Sequence, residues 1–428
     1  MESSFDLLHP KVQEAVWQLS WTALHPIQEE AIPLVLNHTN DIIICAPTSG
    51  GKTEAVFLPL LSKILDAPAR SFQVMCIAPL KALINDQHQR LEALVRGMGI
   101  AVHRWHGDVD QHRKKTLRNQ PGGILLITPE SLESNFVNFG HQVPRLYRHL
   151  QYVVVDELHA FLDNERGIHL RSLLARLAHA IGHRPRSFGL SATLGDHYGA
   201  KVFLNADAPD SVNLVEDTST ARPIRLSLVT CAHVAGLATE SHVSPGEEPD
   251  LSDPASSVGH DDPCPTMNPT EGAPSEEASA TPTDTIGKIA RDIQCHFSGS
   301  TNLVFANSRK TVELLGDHLN NQVQVLDDTE TAFVLHHGSL SRQVRDETES
   351  ALKSGRPTNA LCTSSLELGI DVGAIAAVAQ IDPTWTVSSL VQRLGRSGRR
   401  QGQSTALRLY VRPAVPNQNS SLDDLLFP

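Results

Sequence analysis

The stretch DIIICAPTSGGKT, residues 41–53, decides the fold of the first part of the chain. A run of β-branched residues leads into a short loop with two glycines, and the helical pattern TEAVFLPLLSKIL follows. A strand, a glycine-rich loop and a helix in this order place backbone amides and a helix N-terminus around phosphate. Of the strict pattern GxxxxGK[ST], only the first glycine is replaced, by an alanine. The pattern predicts a phosphate-binding loop formed by Ala46, Pro47, Thr48, Ser49, Gly50, Gly51, Lys52 and Thr53.

Four side chains give this loop a predicted chemistry. Lys52 is expected to meet the β and γ phosphate oxygens, and the Thr53 hydroxyl to bind Mg²⁺. Asp156 and Glu157 follow the apolar run YVVV, so both carboxylates leave the end of a strand. Asp156 is suited to hold Mg²⁺, and Glu157 to orient and deprotonate an attacking water. The alternatives are a glycine turn that only starts a helix, and a solvated loop or helix cap at the two acids.

Strands and helices alternate in both halves of the chain. Apolar runs that each end in a polar or turn residue are DIIICAP, FQVMCIAP, GILLITP, YVVVDE, TNLVFAN, AFVLHHG and NALCTSS, and helical patterns follow them. Continuous apolar strands separated by helices predict an α/β fold with mostly parallel sheets covered by helices on both faces. Functional residues in such sheets gather at the carboxyl ends of the strands.

Length and composition set broad limits. A chain of 428 residues predicts two domains. Six scattered cysteines without a CxxC pair argue against a disulfide framework and a structural zinc. The start MESSFDLLHPKVQEAV lacks the pattern of a signal peptide, and no apolar run is long enough to span a membrane. We therefore expect a cytoplasmic protein with no membrane partner.

The acidic residues are concentrated in one stretch. Eleven of them lie in residues 236–285, which account for nearly all of the formal net charge of −12. This stretch is rich in Pro, Ser, Asp and Glu and predicts a disordered insertion, since it has too few apolar residues to offset the entropy of ordering. It lies between the strand pattern RPIRLSLVT and the helical pattern IGKIARDIQCHF. A tolerated solvated loop and a partner-docking or autoinhibitory segment are both open.

Two further patterns point to a nucleotide. In QRLGRSGRR, residues 392–400, Arg396 and Arg399 would share a face if the stretch is helical. Such arginines can stabilise the charge that builds on a γ-phosphate, although a basic helix that touches only solvent or nucleic acid is the alternative. Gln28, in HPIQ, could recognise adenine through its amide or could be an ordinary surface residue.

Taken together, the motifs resemble those of the superfamily 2 DEAD/DEAH-box helicases, which have two RecA-like domains. The resemblance runs from about residue 24 to about residue 410, and the motifs stand in family order. They are HPIQ, APTSGGKT, APLKAL, TPESLE, DELH, SAT, LVFANSR, TSSLELGIDVG and QRLGRSGR. Within the superfamily, PLKALINDQ, HGDVDQHRKK, DELHAF, SATLGD and LHHGSLS are most similar to the large helicase-related (Lhr) group.

The resemblance implies a domain plan and an activity. It implies a first RecA-like domain over residues 1–221, a second over 222–413 with the insertion at 236–285, and a tail over 414–428. ATP and Mg²⁺ are the expected cofactors, and hydrolysis would drive 3′-to-5′ movement on one strand. A nucleotide-gated clamp or scaffold that does not unwind is the alternative function, and a duplex-RNA remodeller is the nearest competing enzyme. Lhr members carry a winged helix and further domains, so this chain is expected to be a fragment or a short relative.

The resemblance also assigns residues. Gly369 and Asp371 would help to close the nucleotide site, Gln392, Arg396 and Arg399 would complete it, and His159, Ser191 and Thr193 would couple hydrolysis to strand separation. The nucleic-acid strand would lie across the tops of both domains, on Pro79, Lys81, Thr128, Pro129, Glu130, Asn307, Arg309 and Thr363. Residues at these places can instead terminate strands and cap helices, which is the alternative for Thr128 and Thr363. Single-stranded or tailed duplex nucleic acid, DNA in preference to RNA, is the expected partner, with a protein partner on the acidic insertion as a further expectation.

Overall fold

Strands and helices alternate throughout the computed structural model, which describes residues 3–47, 50–162, 164–217, 224–230, 282–323, 332–367, 375–384, 386–398 and 405–412. The strands in these ranges are β1 (Ile42–Cys45), β2 (Phe72–Ile77), β3 (Val102–Trp105), β4 (Gly123–Ile127), β5 (Tyr152–Val155), β6 (Arg186–Ser191), β7 (Asn213–Glu216), β8 (Ile224–Thr230), β9 (Asn302–Ala306), β10 (Ala332–His336), β11 (Thr358–Cys362), β12 (Val378–Ile381) and β13 (Thr405–Val411). The helices are α1 (Pro10–Gln18), α2 (Pro26–Asn37), α3 (Lys52–Leu65), α4 (Lys81–Leu94), α5 (Gln111–Asn119), α6 (Pro129–Phe139), α7 (Val143–Tyr147), α8 (Glu165–Ile181), α9 (His197–Leu204), α10 (Pro282–His296), α11 (Arg309–Val323), α12 (Arg342–Lys353) and α13 (Val387–Leu394).

The first sheet has seven strands in the order β3-β4-β2-β5-β6-β1-β7. Every neighbouring pair in it is parallel. Because parallel neighbours require crossover connections, helices link most of these strands. All seven carboxyl ends therefore lie along one edge of the sheet, which we call the carboxyl edge.

Both faces of this sheet are buried, because successive side chains of a strand point to opposite faces. Ile42 and Ile44 of β1 belong to one hydrophobic cluster, together with α1, α2 and α3. Ile43, between them, belongs to a second cluster with α7 and α8. The same alternation runs through β2 and β4. The predicted α/β class, with a parallel sheet covered by helices on both faces, is confirmed.

The second sheet has six strands in the order β10-β11-β9-β12-β13-β8. β11 is parallel to both of its neighbours, β10 and β9. The pattern RPIRLSLVT gives β8, which lies at an edge of the sheet beside β13. Helix α10 begins at Pro282, so the predicted end of the insertion at residue 285 is wrong and falls inside this helix. Residues 236–281 of the predicted insertion lie outside the described residues.

The chain forms two compact units. The first comprises Met1–Arg225, Ser364–Val378 and Thr384–Ala406, and the second comprises Leu226–Thr363, Ala379–Pro383 and Leu407–Pro428. The predicted domain border between residues 221 and 222 stays a prediction. None of the helices that the structure describes is both long and apolar enough to cross a membrane.

Candidate nucleotide site and nucleic-acid edge

The carboxyl edge of the seven-stranded sheet has two halves. The nucleotide half consists of the ends of β1, β6 and β5, which are neighbours in the sheet. The loop 46–53 follows β1, the pair Asp156 and Glu157 follows β5, and Ser191 ends β6. The nucleic-acid half consists of the ends of β2 and β4, on the other side of β5. Strand order therefore brings together residues that lie more than 100 positions apart in the sequence.

The phosphate loop is hydrogen-bonded to Gln28 in the first turn of α2. Gly51 is the N-cap of α3 and has a φ of +75°, a conformation that favours glycine. Gln28 donates from Nε2 to the Gly51 carbonyl at 3.2 Å, and its Oε1 accepts from the His25 amide at 2.9 Å. A Cβ on Gly51 would overlap the Gln28 amide group. Gln28 is fully buried, so the surface alternative is wrong, and adenine recognition stays a prediction.

The side chain of Lys52 is hydrogen-bonded to the backbone of the phosphate loop. Its ammonium donates to the Ala46 carbonyl at 2.6 Å and to the Pro47 carbonyl at 3.2 Å. Burial lowers the pKa of Lys52, whereas the negative charges of Glu157 and Asp156 raise it. The charges of both acids therefore act on this ammonium, which fits the phosphate-binding hypothesis. Thr48 and Ser49 of the loop lie outside the described residues, and Gly50 donates its amide to the Pro47 carbonyl at 2.8 Å.

Thr53 and Asp156 form a donor set that fits Mg²⁺. Both side chains are buried, and a hydroxyl and a carboxylate are the hard oxygen ligands that Mg²⁺ takes. Gln87 of α4 connects them, since its Nε2 donates to Thr53 Oγ1 at 3.1 Å and to Asp156 Oδ2 at 3.0 Å. Burial, and next the charge of Glu157, raise the pKa of Asp156 to about 6, although Lys52 and the Gln87 hydrogen bond act against this. A buried carboxylate of this kind favours a nearby cation.

Glu157 has an unusual backbone conformation. Its φ is +50° and its ψ is +51°, in the left-handed region that few residues other than glycine adopt. Its amide donates to Asp156 Oδ1 at 3.0 Å, and its side chain is almost completely buried. A strained conformation that the surroundings maintain is typical of functional sites.

His159, Ser191 and Thr193 form a chain of hydrogen bonds between the ends of β5 and β6. Ser191 Oγ donates to the Thr193 carbonyl at 2.6 Å and lies 2.9 Å from His159 Nδ1. Because the hydroxyl proton is used on Thr193, Nδ1 of His159 carries the proton of the other bond. Burial, and next the charge of Lys52, lower the pKa of His159 to about 4. The ring is therefore neutral at pH 7, with its Nε2 3.6 Å from Glu157 Oε2.

Of the predicted arginines, Arg396 is 1% exposed and lies in the first compact unit. Its Nε and Nη2 donate to the Glu367 carbonyl at 3.2 and 2.7 Å. Its charge is also among the causes that lower the pKa of Lys52. Helix α13 ends at Leu394, so the helical interpretation does not hold at Arg396, where Gly395 has already ended the helix. Gln392 is buried within α13, and Gly369, Asp371 and Arg399 lie outside the described residues.

Glu367 organises this arginine-rich segment. Its Oε2 accepts from Arg393 Nε at 2.9 Å and Nη2 at 2.8 Å, and its Oε1 accepts from the Ser389 hydroxyl at 2.5 Å. The side chains of Glu367 and Arg393 are 11% and 6% exposed, so this is a buried ion pair in which two guanidinium N–H groups share one carboxylate oxygen. One of the four arginines of the motif therefore binds a carboxylate of the protein itself.

The nucleic-acid half is more open and more varied. Lys81 is half exposed and pairs with Asp108 at 2.7 Å, and Glu130 is exposed and pairs with Arg166 at 2.7 Å. Thr128 is the N-cap of α6, since its Oγ1 accepts from the Ser131 amide at 3.3 Å. Pro79 and Pro129 are buried, and the Pro79 carbonyl accepts from Arg166 at 2.7 Å. Capping is thus present at Thr128, and the nucleic-acid contact stays a prediction.

The candidates of the second sheet follow two adjacent strands, β9 and β11. Asn307 is exposed and donates to the Pro383 carbonyl at 2.7 Å. Arg309, the first residue of α11, is exposed and contacts the Ser339 hydroxyl. Thr363 is partly buried, and its amide donates to the His336 carbonyl at 3.4 Å. All three end or follow strands that lie side by side in the sheet, which fits a common surface.

The sequence did not single out Gln87 or Glu367 as site residues. Gln87 stands in PLKALINDQ and Glu367 in TSSLELGIDVG, so both were inside quoted motifs without an assigned role. A polar residue in an amphipathic helical pattern is normally expected at the surface. Only the structure shows that Gln87 is instead buried.

Comparison with known protein families agrees with this arrangement. Residues 25–199 match the DEAD/DEAH box helicase family, and residues 286–401 match the helicase conserved C-terminal domain. The ATP-dependent helicase Lhr-Core of Methanothermobacter thermautotrophicus is 29% identical, over 95% of this chain and 44% of its own length. The Lhr helicase/uracil glycosylase of Escherichia coli is 29% identical, over 84% of this chain and 24% of its own length.

A solved structure also has a similar fold. The structure of Mycobacterium smegmatis helicase Lhr bound to ssDNA and AMP-PNP superimposes with a TM-score of 0.72 and 26% sequence identity. The match covers 96% of this chain and 48% of that one. The predicted fold of tandem RecA-like domains is confirmed, as is the likeness to the Lhr group. The chain spans less than half the length of the curated relatives that it matches.

Proposed function

Because the chain belongs to the DEAD/DEAH box helicases, we propose that it hydrolyses ATP and uses the energy to move along a strand of nucleic acid and to separate duplexes. The observation that carries this proposal is the gathering of Lys52, Thr53, Asp156 and Glu157 in the buried nucleotide half of the carboxyl edge. These residues include a cation for phosphate, two metal ligands and a base.

In the proposed reaction, each residue of this half has one task. The backbone of the loop 46–53 and the ammonium of Lys52 bind the β and γ phosphates. Glu157 orients a water in line with the γ-phosphate and accepts its proton. Mg²⁺, when held by Thr53 and Asp156, would neutralise charge on the phosphate oxygens. Arg396, with Gln392 and Arg399, stabilises the charge that develops on the γ-phosphate.

In this proposal the nucleic-acid strand binds to the nucleic-acid half of the carboxyl edge. Backbone amides and the exposed Lys81 suit contacts with phosphates, which carry no sequence information. We propose single-stranded or tailed duplex DNA as the substrate, movement in the 3′-to-5′ direction, and Gly369 and Asp371 as residues that help to close the nucleotide site. The bound ssDNA in the M. smegmatis relative supports the choice of DNA.

The coupling of hydrolysis to movement is proposed to run through His159, Ser191 and Thr193. Their hydrogen bonds connect the residue beside Glu157 with the loop after β6. A change at the γ-phosphate that moves Glu157 would therefore also move the loop after β6.

The first experiment measures ATP hydrolysis in the presence of Mg²⁺, with and without single-stranded DNA or RNA. We expect stimulation by single strands, stronger with DNA, and a loss of about 10²-fold or more in Lys52→Ala. Hydrolysis by Lys52→Ala at the parent rate would contradict the assignment of the loop. Lys63→Ala, on the same helix α3, is the matched control.

Displacement of 3′-tailed and 5′-tailed duplexes tests the direction and the alternative function. Displacement of the 3′-tailed duplex alone supports the proposed direction. ATP hydrolysis stimulated by single strands without any displacement would instead support a nucleotide-gated clamp.

Two broader proposals concern the cellular setting. The acidic stretch 236–281 is proposed to dock a basic protein partner, and the protein to act in the cytoplasm. Deletion of the stretch tests the first proposal, which predicts unchanged basal ATP hydrolysis and loss of a co-purifying partner.

A further inference from the structure

Gln87 is buried against Thr53 and Asp156 of the nucleotide half, although it is not one of the predicted site residues. It lies on the inner face of α4 and is only 6% exposed. The hydrophobic residues Leu83, Ile84 and Leu91 of the same helix belong to the core cluster beneath the sheet. A glutamine at this inward position therefore needs another explanation, because burying an amide costs free energy unless it is hydrogen-bonded.

The hydrogen bonds of Gln87 connect the two predicted metal ligands. Its Nε2 donates to Thr53 Oγ1 at 3.1 Å and to Asp156 Oδ2 at 3.0 Å, and an amide nitrogen has two hydrogens to give. These bonds link α4 to Thr53 of α3, 34 residues away in the sequence, and to Asp156 at the end of β5, 69 residues away. Both donor hydrogens are thus used on oxygens that would bind the metal.

The carbonyl end of the same amide is also informative. Gln87 Oε1 is buried and has no hydrogen-bond partner among the residues that the structure describes. A buried acceptor without a partner is unfavourable, because it has lost its hydrogen bonds to water and gained none in return. Mg²⁺ keeps several of its waters in proteins, and such waters are donors that could satisfy this oxygen.

We propose that Gln87 is a positioning residue for Mg²⁺, which holds the Thr53 hydroxyl and the Asp156 carboxylate in place for the metal that accompanies the nucleotide. This inference rests on the proposed function. A neutral donor suits the task, because lysine or arginine would bring a charge that competes with Mg²⁺ for Asp156. Outer contacts of this kind orient metal ligands, and their loss typically lowers metal affinity 10–100-fold.

The test is a Mg²⁺ titration of the binding of a fluorescent ADP analogue, with Gln87→Met and the control Gln89→Met. Methionine keeps the length of the side chain and removes both amide hydrogens, and Gln89 is exposed on the same helix. We expect Gln87→Met to raise the Mg²⁺ concentration for half-maximal binding at least tenfold. Binding in excess EDTA should change less than twofold, and Gln89→Met should match the parent in both conditions.

The outcomes separate this inference from the function that it rests on. A parent-like Mg²⁺ dependence in Gln87→Met overturns the positioning role, and so does an equal loss of binding with and without Mg²⁺. If Gln87→Met fails to fold in a thermal unfolding control, Gln87→Asn replaces it, since that amide is too short to reach both oxygens and must also raise the Mg²⁺ requirement. A parent protein that binds the ADP analogue without any response to Mg²⁺ would overturn the proposed function itself.

Discussion

The two halves of one sheet edge differ in how firmly they hold their side chains. In the nucleotide half, Lys52, Asp156 and Glu157 are less than 10% exposed, and the structure gives each of them hydrogen-bonded or charged neighbours. In the nucleic-acid half, the side chains of Lys81 and Glu130 are 51% and 59% exposed and form single ion pairs. Hydrolysis needs groups that are fixed in advance and shielded from water. Sliding along a phosphate backbone would need weak contacts that are easily exchanged, so the two halves suit the two tasks that we propose for them.

The largest effect should follow from a change in the buried half. Glu157→Gln keeps the shape of the side chain but removes the base, so we expect kcat for ATP to fall about 10²–10⁴-fold. ATP binding should be retained, as measured by equilibrium titration. The exposed Glu165 at the start of α8 offers a matched control, Glu165→Gln, which should behave as the parent. Parent-like turnover in Glu157→Gln would break the proposed division of roles between the halves.

A second effect in the same half depends on pH. The pKa of His159 is about 4 in the folded protein, below its ordinary value of 6.5. Between pH 6.5 and pH 4 this residue binds a proton in the unfolded chain but not in the native state. The free energy of unfolding must therefore fall as the pH is lowered. We expect the free energy of unfolding to fall by about 2 kcal/mol between pH 7 and pH 5 on account of this residue.

Urea denaturation at the two pH values checks this expectation. In His159→Asn, which keeps a donor toward Ser191, that part of the loss should be absent. Gln111→Asn, at an exposed and non-titrating position of α5, is the control and should keep the pH dependence of the parent. An identical pH dependence in the parent and in His159→Asn would show that the buried half is less shielded than proposed.

A smaller effect distinguishes two interpretations of the nucleic-acid half. Because Thr128 caps α6, Thr128→Ala should cost about 1 kcal/mol of stability. Thr128→Ser keeps the capping oxygen and should recover most of this loss. If Thr128→Ala keeps the parent affinity for single-stranded DNA, the threonine is only a cap. A weaker affinity in both variants, with stability restored in Thr128→Ser, would favour a direct contact of the methyl-bearing side chain with the strand.

The smallest effect is expected at the exposed lysine. Lys81→Gln removes one cation from the nucleic-acid half, so affinity for single-stranded DNA should fall a few-fold and the salt slope should decrease by about one. Fluorescence anisotropy at several salt concentrations measures both quantities. Lys11→Gln, on the exposed face of α1, is the control. An unchanged slope in Lys81→Gln would mean that the ion pair with Asp108 is not exchanged for phosphate.

The sequence was informative where local pattern and chemistry coincide. The apolar runs before the phosphate loop and before Asp156 gave strands, and their order in the chain gave the fold class. β3, β6, β7, β12 and β13 were not predicted. VHRW and NLVE, which form β3 and β7, are short and mix polar with apolar residues. α13 ends earlier than a helical reading of the arginine motif requires, because Gly395 follows its last residue.

Contacts between distant residues could not be predicted from local patterns. Gln28 and Gln87 are buried against residues that lie 23 and 34 positions away in the sequence. Hydrophobic periodicity gives no sign of such contacts. The left-handed conformation of Glu157 likewise arises from the packing around it, since its residue type disfavours this conformation.

The contact between Gly51 and Gln28 has a consequence for variation. Any side chain at position 51 would need the space that the Gln28 amide fills. A side chain at position 51 should therefore be tolerated only together with a shorter residue at position 28, and the φ of +75° would strain it even then. Libraries that diversify this loop should vary positions 28 and 51 as a pair.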